Sequence, residues 1–449
     1  MNRFLKRSRG ALALAVIAAS LIAVRSDAAA PLTQITSAAT ATATAARIFP
    51  PAIDVVSISN LGELTAGTRD LAIAAAGEAG VRAVEGRGYS IGLTRVTRGA
   101  TVIQQASGAS GLWQFPMSVT ALPVEAIASV MGADVSSVVA AGSVVMGQSS
   151  ADLRGAVAGD VVDLLTISGA VRSFTIGLVA SDSVVGGTEI VISTGQADLL
   201  GATTPTRVLI YGVSNRQSIE DAMARRGLTT DRKVRVSRSW DLRSPDSTLS
   251  LVRTKQLLGE FDFAVSSTDS VSVDPAWSAA NLPAQRVTFG SIGVKARCNN
   301  NISADLQAAL TEIAGKGLGG QIDLANTNTY GGCYNPRFNR VAGNLGNLSR
   351  HTWAQAIDMN TVTNCQGCTP TWDCRVVRIF RAHNFAWGGN FLSRDGMHFE
   401  WVGEARHTLQ YPSTYCPNLT AGAAETVPRQ QSIRPEFFGN DGWNELSDE

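Results

Sequence analysis

All six cysteines of this 449-residue chain lie between positions 298 and 416. An even number of cysteines gathered in one part of a chain is typical of a region cross-linked by disulfides, which form in oxidising compartments. Their pairing stays open among about 15 arrangements. The six are Cys298, Cys333, Cys365, Cys368, Cys374 and Cys416. A thiolate metal site at 365, 368 and 374 is the alternative, but three thiolates lack the fourth ligand of a structural zinc site.

The first thirty residues have the pattern of a secretory signal. Four basic residues precede the apolar run ALALAVIAASLIAV, and the small residues DAAA follow it. The run ends after about 14 residues, short of the roughly 20 that a membrane-spanning helix needs. We therefore expect residues 1–30 to be a signal peptide cleaved near Ala30. The mature protein is expected to be secreted or extracytoplasmic, with no membrane span.

The charge pattern gives no reason to expect a nucleic-acid partner. The formal net charge is +1, and no block of basic residues stands out along the chain. Binding to nucleic acid depends on a concentrated positive surface, which the sequence does not predict.

Composition divides the chain after the signal peptide into four parts. Residues 31–49 are rich in Ala and Thr without an apolar period, which predicts a linker. Residues 50–285 are predicted to form a β-rich mixed domain of unknown role, the candidate for binding a protein partner. Residues 286–417 contain all the cysteines, and residues 418–449 read as a polar tail.

Short runs of β-branched residues between turn residues predict strands in the 50–285 region. They are VVDLLTIS, RSFTIGLVA, TEIVIS and RVLIYGV. The segments SIEDAMARRG and STLSLVRTKQLLGEF predict helices there, and ADLQAALTEIAGKG predicts one further on. The stretch that contains the first three strand runs resembles the extracytoplasmic domain of ABC-type exporter permeases. That resemblance implies an interaction module without transport.

Two of the four histidines lie in segments that contain carboxylates. SRHTWAQAIDMN covers 349–360, and DGMHFEW covers 395–401. Two neutral imidazoles and one carboxylate suit zinc, and a fourth position left open to water is the arrangement of catalytic sites. His351, Asp358 and His398 are the candidate ligands. A helix would also align residues seven apart, so the spacing does not fix the element that holds the first two.

The two histidine segments resemble those of zinc D-alanyl-D-alanine carboxypeptidases and related L-alanyl-D-glutamate endopeptidases of bacterial cell walls. SRHTWAQAID matches their S-x-H-x-x-G-x-A-x-D signature with one departure, and DGMH matches their acid-x-x-His motif. GGCYNPRFNR and HNFAWGGNF resemble further landmarks of the family. The resemblance covers roughly residues 290 to 405. It implies an α+β fold, in which the zinc peptidase domain has a small antiparallel sheet.

The resemblance also implies roles for particular residues. His351, Asp358 and His398 would bind zinc, and Asp395 would be the general base. Arg337 would hold the substrate carboxylate, with Arg340 as the alternative, and Ser349 opens the first motif. Those two, Arg337 and Ser349, are the candidate substrate-binding residues.

The identity of the general base stays open between Asp395 and Glu400. In a straight strand Glu400 shares the face of His398, whereas Asp395 points away. Gly396 permits a turn that would bring Asp395 round, and we favour Asp395. The one departure from the signature is Ala354, which replaces glycine. That replacement is mild unless the position needs a positive φ.

These features predict an exported zinc metallopeptidase that acts on peptidoglycan stem peptides. The sequence leaves open whether it removes a terminal residue or cuts inside a stem or cross-link. The alternative is a catalytically inactive, zinc-containing module that binds the cell wall or a partner.

Overall fold

The computed structural model describes residues 53–107, 113–325, 330–339 and 346–418. The predicted signal peptide and linker lie outside the described residues, as do Arg340 and the tail from 419 onward. All described residues belong to one compact unit. None of the described helices is long and apolar enough to cross a membrane.

Twelve of the described strands form one sheet, in which most neighbours run antiparallel. They are β1 (Asp54–Asn60), β2 (Arg82–Arg98), β3 (Thr101–Gln105), β4 (Trp113–Leu122), β5 (Val144–Gly147), β6 (Val161–Leu165), β7 (Val171–Ala180), β8 (Ile190–Ser193), β9 (Arg207–Val213), β10 (Val234–Arg238), β11 (Phe263–Val265) and β12 (Val271–Val273). Because β2 pairs with both β4 and β6, the strands β2, β6, β7, β5, β8 and β4 close into a ring. Such closure leaves these strands without an unpaired edge.

The interior of the ring is filled by apolar side chains that alternate with outward-facing polar ones. In β7, for example, Phe174 and Ile176 are buried while Ser173, Thr175 and Gly177 between and beside them are exposed. The ring core takes buried residues from all six strands: Leu93, Met117, Val144, Val162, Ile176 and Ile190. This period of two is the pattern of a sheet with one buried face.

Seven helices precede the C-terminal region in the described part of the chain. They are α1 (Ala66–Glu78), α2 (Val124–Val130), α3 (Ala133–Ala140), α4 (Gln148–Arg154), α5 (Asp182–Val185), α6 (Thr194–Leu199) and α7 (Arg216–Arg225). The four predicted strand runs are present as β6 to β9, and the helix predicted at SIEDAMARRG is α7, so the β-rich mixed architecture is confirmed. The other two predicted helices are also present, at Leu251–Leu258 and Ser303–Gly315. No finding supports the resemblance to permeases, and the expected protein partner stays a prediction.

The C-terminal region is built on a small antiparallel sheet, as predicted. Its strands lie in the order β15 (Tyr330–Gly332), β16 (Ala356–Met359), β18 (His398–Trp401) and β17 (Phe385–Trp387). A separate hairpin joins β13 (Val287–Phe289) to β14 (Val294–Ala296). The helices are α8 (Leu251–Leu258), α9 (Pro275–Asn281), α10 (Ser303–Gly315) and α11 (Cys374–Ala382).

The core of the C-terminal region extends to residues before position 285. Leu251, Phe261 and Trp277 pack in the same cluster as Trp353 of the first histidine segment and Phe399 of the second. The domain boundary near 285 stays a prediction, but the apolar contacts of the C-terminal core begin at least thirty residues earlier. The core of the C-terminal region is therefore stabilised by residues that the sequence assigned to the middle region.

The β11–β12 hairpin connects the large sheet to the C-terminal region. On one side β11 pairs with β4. On the other, the Val271 N–H donates to the Pro336 carbonyl at 3.3 Å, and the Phe338 N–H donates to the Asp269 carbonyl at 3.1 Å. The segment around Arg337 is therefore held as an extension of the middle-region sheet.

The six cysteines pair as Cys298–Cys333, Cys365–Cys368 and Cys374–Cys416. This pairing agrees with the predicted disulfides and leaves no cysteine free for a thiolate metal site. Cys298–Cys333 links the start of the region to the β15 edge, and Cys374–Cys416 ties the first residue of α11 to the last described turn.

Candidate metal centre

Strand pairing brings Asp358 and His398 together. The two residues are direct partners in the antiparallel register of β16 and β18. Side chains of direct partners point to the same face with Cβ atoms about 5 Å apart. His398 Nδ1 lies 3.1 Å from Asp358 Oδ1.

His351 reaches the same place from a turn that precedes β16. Residues Arg350–Trp353 form one 3₁₀ turn, and Ser349 caps it by accepting a hydrogen bond from the His351 N–H. The sequence left open whether His351 and Asp358 share a helix, and the structure instead has a turn followed by a strand. The His351 and His398 rings meet edge to face, with centroids 5.1 Å apart.

His351, Asp358 and His398 present three ligand atoms within 4.8 Å of one another, and all three side chains are largely buried. His351 Nε2 lies 3.2 Å from Asp358 Oδ2 but makes no hydrogen bond to any described residue. A buried nitrogen left in that state is costly unless a ligand satisfies it, so the donor set fits a metal ion.

The remaining ring nitrogens have partners that orient both histidines. His351 Nδ1 lies 3.1 Å from the Cys333 carbonyl, and His398 Nε2 lies 3.3 Å from Glu400 Oε2. A carbonyl and a carboxylate can only accept, so these nitrogens donate. A metal that displaces the second ring proton would therefore find lone pairs at His351 Nε2 and His398 Nδ1.

The charges of the site stabilise one another in the described protein. Burial alone would raise the pKa of Asp358, but the positive charge of His351 and the hydrogen bond from His398 hold it well below its usual range. Burial alone would lower the pKa of His398, but the hydrogen bonds to Asp358 and Glu400 raise it to about 10. The site is therefore strongly favourable for a positive charge.

Asp395 lies in the turn before β18, next to the three candidate ligands. Its N–H donates to the Gly388 carbonyl at 2.8 Å, and its own carbonyl accepts from the His398 N–H at 3.1 Å. Its Oδ1 is buried without a hydrogen-bond partner among the described residues. Burial raises the pKa of Asp395, against the opposing charges of His398, His351 and Arg337.

The turn at Asp395 is held by the cysteine-containing insertion. Gln366 and Asp395 form an isolated antiparallel β-bridge, and the Gly367 N–H donates to the Arg394 carbonyl at 2.7 Å. The indole N–H groups of Trp372 and Trp387 both donate to the Gly396 carbonyl, each at 2.8 Å. These contacts fix the backbone on both sides of the Asp395 side chain.

Gly396 is needed for space rather than for an unusual backbone angle. The sequence suggested that it permits a turn, but its φ is not in the positive range. A Cβ at this position would lie 3.2 Å from the Cβ atoms of both Asn364 and Pro370. A side chain there would push the insertion away from the Asp395 turn.

Glu400 shares the His398 face of β18, as the strand argument predicted. It is fully buried, and one of its oxygens lies 3.3 Å from Arg350 Nε. A carboxylate with its oxygens directed at Arg350 and His398 is placed to orient the histidine. It lies at Nε2 of the His398 ring, opposite the Nδ1 atom that approaches Asp358.

Arg337 lies on the far side of the first histidine turn. Its carbonyl accepts from the Ser349 N–H at 3.0 Å and from the Thr352 hydroxyl at 3.0 Å. Its positive charge acts on Asp395, which brings the predicted carboxylate-binding arginine into the same electrostatic site. The sequence did not predict that Thr352 and the β11–β12 hairpin hold this arginine, because Thr352 occupies a variable position of its motif and the hairpin lies outside any motif.

Ala354 has a left-handed backbone, with φ 54° and ψ 30°. The position therefore needs a positive φ, which is the condition under which replacing glycine with alanine matters. The conformation ends the 3₁₀ turn and lets the Ala354 carbonyl accept from the Asn299 N–H at 3.1 Å. A left-handed residue with a Cβ costs about 1–2 kcal/mol.

Residues 342–401 match the family model described as D-alanyl-D-alanine carboxypeptidase. This carboxypeptidase-family segment contains Ser349, His351, Asp358, Asp395 and His398, but not Arg337. It supports membership of the peptidoglycan zinc peptidases for the C-terminal region. No curated protein matches the chain.

The carboxypeptidase-family segment is shorter than the resemblance seen in the sequence, which reached from about 290 to 405. Its bounds contain the whole β16–β18 pair and the insertion, so the match and the candidate metal centre coincide. The middle region lies outside the match.

Proposed function

We propose that the protein is an exported zinc metallopeptidase that hydrolyses peptide bonds in peptidoglycan stem peptides, in the manner of a D,D-carboxypeptidase. The observation that carries the proposal is the convergence of His351, Asp358 and His398 beside the half-buried Asp395 carboxylate, inside the segment that matches the carboxypeptidase family. Three protein ligands that leave a position open are the arrangement of catalytic zinc sites.

His351 Nε2, Asp358 and His398 Nδ1 would hold the zinc. When bound, the ion polarises a substrate carbonyl and makes a water acidic near neutral pH. The Cys333 carbonyl and Glu400 keep both rings in the orientation that the ligand set needs, because each accepts a hydrogen bond from the ring nitrogen that does not face the site.

Asp395 is the proposed general base. Its buried Oδ1 is available to accept a proton from the attacking water and to pass it to the leaving amine. Burial that raises the pKa of this carboxyl brings it closer to neutral pH, where a base that also acts as an acid is most effective. Glu400 is less suited to this role because Arg350 and His398 already engage it.

Arg337 is the proposed partner of the substrate's terminal carboxylate. A guanidinium presents a planar fork that fits a carboxylate with two hydrogen bonds. Its charge is felt at Asp395, which supports a position within reach of the same substrate. Ser349 stays a candidate substrate contact, although its hydroxyl also caps the turn of His351.

Export is part of the proposal. Three disulfides in one region favour an oxidising compartment, and peptidoglycan lies outside the cytoplasm. An inactive zinc-containing module is the alternative, and the buried Asp395 Oδ1, which has no hydrogen-bond partner among the described residues, argues against it.

The test is hydrolysis of purified muropeptides by the full chain, with products identified by mass spectrometry. Release of one D-alanine from pentapeptide stems would establish a carboxypeptidase, and a cut within the stem or cross-link would establish an endopeptidase. Amidation of the terminal carboxylate should raise KM in the wild type but not in Arg337→Gln. Absence of any cleavage by a zinc-loaded protein would favour the inactive module.

A further inference from the structure

A cavity of about 670 Å³ lies between the large sheet and the loop that leads to Asp395. One wall is formed by residues 228–247, which include β10, and the other by residues 389–394 together with Tyr411 and Tyr415. The first wall lies outside the carboxypeptidase-family segment. The volume of the cavity falls within the range of small-ligand sites, about 300–1,000 Å³.

The charged lining of this cavity is mainly positive. Its charged members are Arg232, Arg235, Arg238, Arg394 and Asp241, four arginines against one aspartate. Arg238 is paired with Glu220 at 2.8 Å and with Asp241 at 3.5 Å. Arg232 and Arg394 are the arginines on which the positive sign of the potential depends here, and hydroxyl groups of serine, threonine and tyrosine complete a polar lining.

Two residues connect the cavity to the metal centre. Phe391 lines the cavity, and its ring centroid lies 5.9 Å from that of His398. Arg394 lines the cavity and directly precedes Asp395 in the chain. Arg394 bonds to the Tyr415 hydroxyl and the Gly367 carbonyl, both uncharged groups. The Phe391 side chain is therefore shared between the wall of the positively charged cavity and the surroundings of His398.

We propose that this cavity is a subsite for a second carboxylate of the peptide substrate, distinct from the terminal carboxylate assigned to Arg337. This inference rests on the proposed function, because it takes the occupant to be a peptide bound at the metal centre. Arg232 and Arg394 bind the acidic group, and Phe391 separates it from the reacting bond. The middle region thereby contributes to substrate selection.

The test uses two synthetic pentapeptides that end in D-Ala-D-Ala and differ only in a glutamate or glutamine at the second position. Binding to the full chain is measured by calorimetry after removal of metal with a chelator, so that no turnover occurs. The wild type should bind the glutamate peptide about tenfold more tightly, as expected for one charge-assisted contact. Arg232→Gln and Arg394→Gln should each reduce this preference severalfold.

Arg172→Gln is the matched control, because Arg172 is an exposed arginine of β7 outside the cavity lining. It should keep the wild-type preference. Arg232 is also exposed, so its variant tests the charge without loss of a buried contact. Equal binding of both peptides by the wild type would overturn the proposal. Inorganic phosphate is titrated in the same way, and the proposal would also be overturned if only its affinity, and not that of the glutamate peptide, depended on Arg232 and Arg394.

Failure of the subsite and failure of the proposed function give different results. If the zinc-loaded protein cleaves muropeptides but shows no arginine-dependent preference, the subsite is wrong and the peptidase stands. If it cleaves nothing but keeps the preference, the subsite stands as a recognition site without hydrolysis.

Discussion

Glu400 Oε2 lies 3.3 Å from His398 Nε2, on the opposite edge of the ring from the nitrogen that approaches Asp358. The strand places these two side chains on one face, and burial leaves Glu400 no access to water. A carboxylate that accepts from the far nitrogen of a ligand histidine fixes its tautomer and orientation. Glu400 is therefore placed to orient His398 at the candidate metal centre, which supports Asp395 as the proposed general base.

Glu400→Gln should weaken zinc binding by about tenfold, the lower end of the range for such supporting partners. The amide keeps the shape of the side chain but loses the charge that His398 and Arg350 face. Zinc affinity is measured by competition with a chromogenic chelator, and turnover is measured at saturating zinc. A variant with unchanged zinc affinity and no turnover would instead make Glu400 the base.

Ala354→Gly should stabilise the protein by about 1 kcal/mol, because glycine adopts the left-handed conformation without the Cβ penalty. The midpoint of urea unfolding is the measurement. Ala356→Gly is the control, since Ala356 is equally buried two residues away but lies in β16 with an extended backbone. That change should destabilise the protein. Destabilisation by both would mean that the left-handed turn carries no strain.

Ala354 shows a limit of prediction from the sequence. The motif located the histidine turn and named glycine as the usual residue at 354, but φ is not readable from one sequence. The three candidate ligands were predictable because their residue types suit a metal and their segments resemble those of a known family. The hydrogen bonds between the β11–β12 hairpin and the Arg337 segment were not predictable, because they join main-chain groups more than sixty residues apart in the chain.

The disulfide pairing and the role of Gly396 were also beyond the sequence. Three pairings follow from how the strands and turns meet, and no spacing rule selects them. Gly396 was expected to permit a turn, whereas it gives room to Asn364 and Pro370. By contrast, the strand runs of the middle region were predictable, because their β-branched composition and turn residues are local.

Trp372→Phe should lower kcat by up to about tenfold, because it removes one of two N–H groups that hold the Gly396 carbonyl, and a hydrogen bond contributes about 1 kcal/mol. Zinc content should not change. Trp277→Phe is the matched control, as its indole also donates to a backbone carbonyl, that of Leu258 at 3.1 Å, away from the site. Equal kcat values in the two variants would show that the hydrogen bond from Trp372 to the Gly396 carbonyl does not contribute to catalysis.

Glu260 should make the protein sensitive to acid. Burial alone would raise its pKa, but the charges of Arg154 and Lys255 lower it to about 2. Because the pKa of Glu260 in the folded protein lies below its ordinary value of 4.5, the contribution of Glu260 to stability is present above pH 4.5 and is lost as the pH falls towards 2. The full loss is on the order of 3 kcal/mol.

The check is urea unfolding of wild type and Glu260→Gln between pH 6 and pH 2, with the exposed Glu125→Gln as control. The difference in stability between wild type and Glu260→Gln should shrink across this window, while the control difference stays flat. A constant difference for Glu260→Gln would contradict the assignment of its lowered pKa.

The central claim is that one metal centre and one carboxylate carry the activity, and it is tested by measuring zinc content and muropeptide hydrolysis on the same preparations of the full chain. The wild type should hold about one zinc and be active. His351→Ala should lose zinc and activity together, whereas Asp395→Asn should keep zinc and lose about 100-fold or more in turnover. Full activity in Asp395→Asn, or loss of activity in His351→Ala without loss of zinc, would contradict the account.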